Sequence, residues 1–251
     1  MPGASYDATR RAWDGIWRDS DLAREHATGR YDRSRAIRGR YLPLLPAGGP
    51  VLEAGCGVGT EMVALAAAGK RVIGVDYALS ALGRLRAVEP GAQLAGADVH
   101  RLPCRDGALA AYLSFGVLEH FESGTAPALG EAFRVLRPGG MLVLTVPAPS
   151  LVWRAVRCKR RWLGGEPAAG YYETTYRLDE IATAVAAAGF VAVRAEPIDH
   201  GFTLWGCGGP FQGAGHYVTS PLAETLGRLA AVIAPRAMAF ATMVTARKLG
   251  G

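Results

Sequence analysis

Three glycines at alternate positions, Gly55, Gly57 and Gly59, lie between the apolar run at 51–54 and a helix-forming run at 60–68. Glycine takes positive φ without a Cβ penalty, so such a turn can press main-chain N–H groups against a ligand at a helix N-terminus. Asp76 closes the next apolar run, VIGVD at 72–76, where a carboxylate can accept from both hydroxyls of a ribose. Together they describe an open parallel sheet that holds an adenosine-containing ligand. A dinucleotide turn spaces its glycines G-x-G-x-x-G around a pyrophosphate. Here the spacing is shorter, and Glu53 stands two places before the first glycine. A carboxylate there repels a pyrophosphate and suits an ammonium or sulfonium, which disfavours NAD.

Further along, Glu119 and His120 follow the fourth apolar run, at the edge where open sheets bind ligands. His120 is a candidate general base, since an unperturbed imidazole is largely neutral at physiological pH. Its alternatives are a structural hydrogen bond or a substrate contact. His216 and His200 are the other candidate bases, while His26 and His100 read as incidental. Tyr171, Tyr172, Glu173 and Tyr176 are aromatic enough to suggest a planar or apolar acceptor. Trp205, with Phe202, Phe211 and Tyr217, belongs to a glycine-rich stretch at 201–215 that reads as an irregular loop, either a mobile aromatic lid or a packing feature. No His, Asp or Glu cluster has metal-ligand spacing.

These residues need elements to position them. Strands are expected at 51–54, 71–75, 93–97, 108–115, 140–147, 190–196 and 239–248, and helices at 60–68, 78–88, 125–136 and 178–189, the last closed by Gly189. Alternation of this kind specifies a doubly wound α/β sheet with helices on both faces. The 251 residues suffice for a single domain. Its parts are an N-terminal helical cap at 1–48, a core at 49–147, and the remaining strands with lid inserts at 148–251.

The motifs VLEAGCGVG (51–59), VIGVD (72–76), GADV (96–99), SFGVLEH (114–120) and LRPGGMLVLTVP (136–147) resemble, in order and spacing, those of class I S-adenosylmethionine-dependent methyltransferases. The resemblance implies a Rossmann-like, mostly parallel seven-stranded sheet whose last strand is antiparallel and inserted beside its neighbour. S-adenosyl-L-methionine would be the cofactor. Glu53, Gly55, Cys56, Gly57 and Gly59 would surround its methionine part, Asp76 its ribose and Tyr77 its adenine. Asp98 and the Val99 backbone would read the adenine amino edge, and Ser114 would border the methionine. Glu119, Tyr172, Tyr176 and Trp205 would face the acceptor. The implied reaction is methyl transfer to an oxygen, nitrogen or carbon of a small hydrophobic metabolite. The alternatives are a cofactor-bound cyclisation or elimination, and a methyltransferase acting on nucleic acid or at a membrane surface. SFGV in place of an Asn-Pro-Pro-Tyr-type motif argues against a nucleobase amine.

The charge of +6 is carried almost wholly by arginine, with nine arginines against six acids in 1–41, and five cations without an acid in 151–162. A solvated helix face, an acidic substrate and a membrane surface each account for such runs. Four dispersed cysteines, no apolar leader and no long apolar segment point to a cytoplasmic chain, monomeric or homodimeric.

Overall fold

The apolar runs become β1 (Val51–Ala54), β2 (Val72–Asp76), β3 (Gln93–Gly96), β4 (Leu109–Phe115), β5 (Leu136–Pro147), β6 (Phe190–Ile198) and β7 (Ala241–Lys248) in a computed structural model that describes residues 4–162 and 172–250. Among these residues the strands form one sheet of order β3-β2-β1-β4-β5-β7-β6. β7 is antiparallel to both β5 and β6, and the remaining pairs are parallel. Strand order reverses between β1 and β4, and the crevice at that switch point is where such sheets bind ligands.

Helices cover both faces. Alternate residues of the central strands face opposite ways: Tyr112, Leu142 and Leu144 meet α6 (Ala126–Val135) and α8 (Leu178–Ala187). Ala111, Leu113, Met141 and Val143 face α3 (Asp32–Tyr41), α4 (Thr60–Ala67) and α5 (Leu79–Val88). Strands buried on both sides read as continuous apolar runs, and all four residues of β1 are buried.

The N-terminal α1 (Ala4–Asp19) and α2 (Leu22–Thr28) lie at the carboxyl edge. Electrostatics at two helix ends hold α1 there. Asp14 accepts from the Ser80 N–H at 3.1 Å in the first turn of α5, and the Ser80 hydroxyl donates to the Asp14 carbonyl at 2.9 Å. Arg84 donates to the carbonyls of Trp17 and Arg18 that close α1. A carboxylate at a helix N-terminus and a cation at a C-terminus both complement the backbone dipole.

After β5 come α7 (Leu151–Trp162), then, past α8 and β6, α9 (His200–Trp205), α10 (Pro221–Ile233) and α11 (Pro235–Met238). The stretch at 201–215 is therefore not one irregular loop, because α9 occupies its start and Gly209–Phe211 makes a 3-10 turn. Several of its glycines serve close packing instead: a Cβ on Gly206 would meet the Trp153 ring at 2.4 Å. β5 also begins at Leu136, four residues before the expected strand, because Leu136 pairs with Leu109 across an irregular register.

Six of the nine N-terminal arginines are ion-paired, and Arg10, Arg11 and Arg30 are exposed. Arg18, Arg24 and Arg35 reach Asp14, Asp21 and Asp32 within a helical turn, whereas Arg33, Arg38 and Arg40 reach Asp199, Glu61 and Glu196 from elsewhere in the chain. The last three pairs join elements distant in the chain.

Candidate active site

The glycine turn is tied to its neighbouring strand, since Gly55 and Cys56 donate their N–H groups to the Val75 carbonyl at 2.7 and 3.0 Å. Gly55, Gly57 and Gly59 have φ of +77°, +51° and +77°, the left-handed region that disfavours side chains. Cys56 is buried against Gly74, and burial pushes its thiol well above the ordinary range, so it acts as an inert small residue.

Three carboxyl groups stand along the first three strands, Glu53 on β1, Asp76 at the end of β2 and Asp98 two residues past β3. Asp76 accepts from Gly57 N–H at 2.7 Å and Ala78 N–H at 2.8 Å, one on each oxygen, with the Tyr77 N–H also directed at the carboxylate. Burial raises its pKa, against the pull of those amides. Asp98 accepts from the Tyr6 hydroxyl at 2.5 Å and from the N–H and ring Nδ1 of His100 at 2.9 and 2.7 Å. Partial burial would raise Asp98, but the His100 and Tyr6 hydrogen bonds outweigh it and hold the carboxyl at about 2. Glu53 is buried, and desolvation with the nearby Glu61 carboxylate drives it well above the carboxylate range; its Oε2 has no hydrogen-bond partner among the described residues. The Ser114 Oγ, fully buried on β4, is likewise without one.

These groups fit S-adenosylmethionine. The ligand presents an ammonium, two ribose hydroxyls and an exocyclic amine, all donors, and the edge offers acceptors. When bound it supplies a methyl group made electrophilic by a cationic sulfur. Glu53, Ser114 and the turn would hold its methionine part, Asp76 its ribose, and Asp98 with Tyr77 and Val99 its adenine. Asp98 already takes three hydrogen bonds, so an adenine amine would use the fourth lone pair or replace the Tyr6 hydroxyl.

Behind the carboxyl edge, Leu118–His120 forms one 3-10 turn in which Glu119 and His120 are 3% and 6% exposed. His120 Nδ1 lies 2.7 Å from the Tyr172 carbonyl, an acceptor, which favours the proton on Nδ1; the Gly116 carbonyl is a second acceptor at the ring, and Nε2 lies 3.9 Å from Glu119 Oε1. Burial lowers its pKa, keeping the ring neutral. Burial raises Glu119 to about 8, which makes it a neutral acid at pH 7. The segment after 171 is pinned to this turn and to β5, as Thr174 N–H donates to the Glu119 carbonyl and Tyr176 N–H to the Pro147 carbonyl, both at 3.0 Å. The Tyr172 backbone thus borders His120, Tyr176 is held against the end of β5, and Tyr171 lies outside the described residues.

Other expected residues are placed elsewhere. Trp205 stacks on Phe202 at 4.9 Å with Tyr217 edge-on at 5.4 Å, a cluster that packs the second insert. His216 pairs with Glu25 at 3.2 Å and Tyr217. His200 gives its Nε2 to the Pro235 carbonyl at 2.8 Å, a structural pin. His100 and His26 are not incidental: the first orients Asp98, and the second, 2.7 Å from the Val58 carbonyl, ties α2 to the glycine turn.

Sequence reading missed Tyr6. Its ring lies 6.1 Å from Tyr77 and 6.2 Å from Phe121, in the zone assigned to the adenine. Along the same helix, Trp13 meets His120 edge-on at 5.0 Å, and Trp17 covers Gly57, where a Cβ would lie 2.6 Å from the ring. No motif marks Tyr6, and only the amphipathic character of 4–19 hinted at it.

The fold and its edge define an open-sheet binder of a cationic nucleoside. A methyltransferase-domain family model matches residues 52–144. A Mycolicibacterium smegmatis protein named as an S-adenosylmethionine-dependent methyltransferase is 38% identical over 101 residues, 40% of this chain and 39% of that relative. A demethylmenaquinone methyltransferase of a Parafrankia species is 33% identical over 174 residues, 60% of this chain and 66% of its own. The methyltransferase solved with the Trm112 activator of Haloferax volcanii superposes with a TM-score of 0.64 at 16% identity, covering 94% of this chain and 97% of that one. The chain thus carries a methyltransferase domain over residues 52–144 and is similar to S-adenosylmethionine-dependent methyltransferases.

Proposed function

We propose that this protein transfers the methyl group of S-adenosylmethionine to an oxygen, nitrogen or carbon nucleophile of a small, largely hydrophobic acceptor. The observation that carries the reading is the juxtaposition of the acceptor-rich cofactor edge with a buried, neutral His120. Its Nδ1 is fixed by the Tyr172 carbonyl, and the Trp13 ring meets it edge-on at 5.0 Å.

In this reading His120 Nε2 takes the acceptor's proton. Glu119, neutral at pH 7, neither competes for that proton nor repels an electron-rich acceptor. α1 roofs the edge and keeps water from it, which strengthens every charge interaction beneath. Relatives named demethylmenaquinone methyltransferases and malonyl-[acyl-carrier protein] O-methyltransferase support an acceptor that is not nucleic acid.

The test is a screen of hydrophobic phenols, quinols, amines and carboxylic acids, reading S-adenosylhomocysteine against acceptor loss. Equimolar formation supports methyl transfer. Acceptor consumed without S-adenosylhomocysteine replaces the reading with a cyclisation or elimination that merely uses the bound sulfonium.

A further inference from the structure

Two helices of the inserts carry apolar residues on their outer sides. Along α7, Leu151, Ala155, Cys158 and Trp162 are exposed, and along α10, Leu222, Leu226, Leu229 and Ile233. Both sets recur at i, i+4, i+7 and i+11, so each makes one straight stripe. The exposure is large: 85% for Trp162, 71% for Ile233, 64% for Leu151 and 53% for Leu229.

These are not the faces by which the helices join the fold. α7 packs inward through Val156 and through Trp153, which meets Phe240 edge-on at 5.1 Å. α10 packs through Ala223, Gly227 and Ala230, and its approach to α9 is so close that a Cβ on Gly227 would lie 2.5 Å from the Gly201 nitrogen. Both helices rest on α9 and α11. Each stripe is therefore a second apolar surface, exposed at a cost that soluble chains usually avoid unless something covers it.

Charge selects the occupant. The sequence of α7 holds Arg154, Arg157, Lys159, Arg160 and Arg161 and no acid, while Glu224 and Arg228 leave α10 neutral. A second copy docked through α7 would bring two such cationic helices together and be repelled. An anionic leaflet supplies the opposite charge and an apolar layer at one surface. Tryptophan at the end of an exposed helix suits the headgroup depth. We propose that α7 and α10 form a docking surface for an anionic lipid bilayer. Docking is peripheral, as no helix among the described residues is long and apolar enough to cross a membrane. It is independent of the methyl-transfer reading, because binding is measured without any acceptor.

The experiment is co-sedimentation of the full chain with vesicles of phosphatidylcholine alone and of phosphatidylcholine with about a third phosphatidylglycerol. Binding to the mixed vesicles only is expected, weakening in 0.5 M salt as the screening length falls to roughly 4 Å. Leu226→Ser with Leu229→Ser, and separately Arg154→Glu, should each reduce partitioning about tenfold. Circular dichroism and cofactor affinity should match the parent, which separates lost docking from lost folding. Equal binding to both vesicles, undiminished binding by the variants, or a dimer in solution that the serine substitutions dissolve would each overturn the proposal.

Discussion

At the residue scale, the proposed chemistry would rest on two buried groups, His120 and Glu119, whose ionisation is shifted chiefly by desolvation. His120 is neutral below its ordinary 6.5, so the acid limb of kcat/KM should fall below that value, and His120→Gln should lower kcat roughly 100-fold and remove the limb. A variant whose pH profile keeps the limb would reassign the base. For Glu119, a folded pKa near 8 against 4.5 unfolded means the native state binds its proton more tightly. Stability from this group is complete below pH 4.5 and is lost as pH rises through 8. Glu119→Gln should therefore flatten the fall in stability over that window, by on the order of 2–4 kcal/mol, as read from urea unfolding at several pH values. The placement of Glu53, Gly57 and Asp76 about the turn was legible in the sequence because it follows from local turn geometry. Tyr6 and His100 were not, since each acts through the Asp98 carboxyl, which only folding brings to Tyr6, 92 positions away.

At the element scale, α1 decides whether the edge is roofed, and two polar contacts to α5 hold it. Asp14→Ala removes the acceptor at the α5 N-terminus. It should cost about 1 kcal/mol and speed amide exchange within 4–19, while leaving the sheet's protection intact; unchanged exchange would show that the aromatic contacts alone hold the helix. The strands were readable because both-face burial imposes continuous apolar runs. α9 was not, because its glycines looked like turn residues, whereas Gly201 and Gly206 are small to admit α10 and the Trp153 ring.

For the whole molecule, ion pairs staple the N-terminal helices to the core. Arg38 meets Glu61 with two hydrogen bonds of 2.6 Å, and the Tyr41 hydroxyl donates to the same carboxylate. Arg38 and Glu61 are 12% and 17% exposed, so Arg38→Ala would strand a mostly buried carboxylate and should cost roughly 2–4 kcal/mol. Thermal unfolding measures the loss, and Arg38→Lys should restore part of it.

The sequence by itself determined the sheet, its doubly wound class and the cofactor turn, because hydrophobic periodicity and glycine φ preferences are local properties. Only the tertiary structure decided which histidine is buried at the Tyr172 carbonyl, which ring packs against it and which apolar faces stay uncovered. Those outcomes depend on distant segments meeting: the Tyr172 carbonyl comes to His120 from 52 residues away, and no local preference encodes that contact.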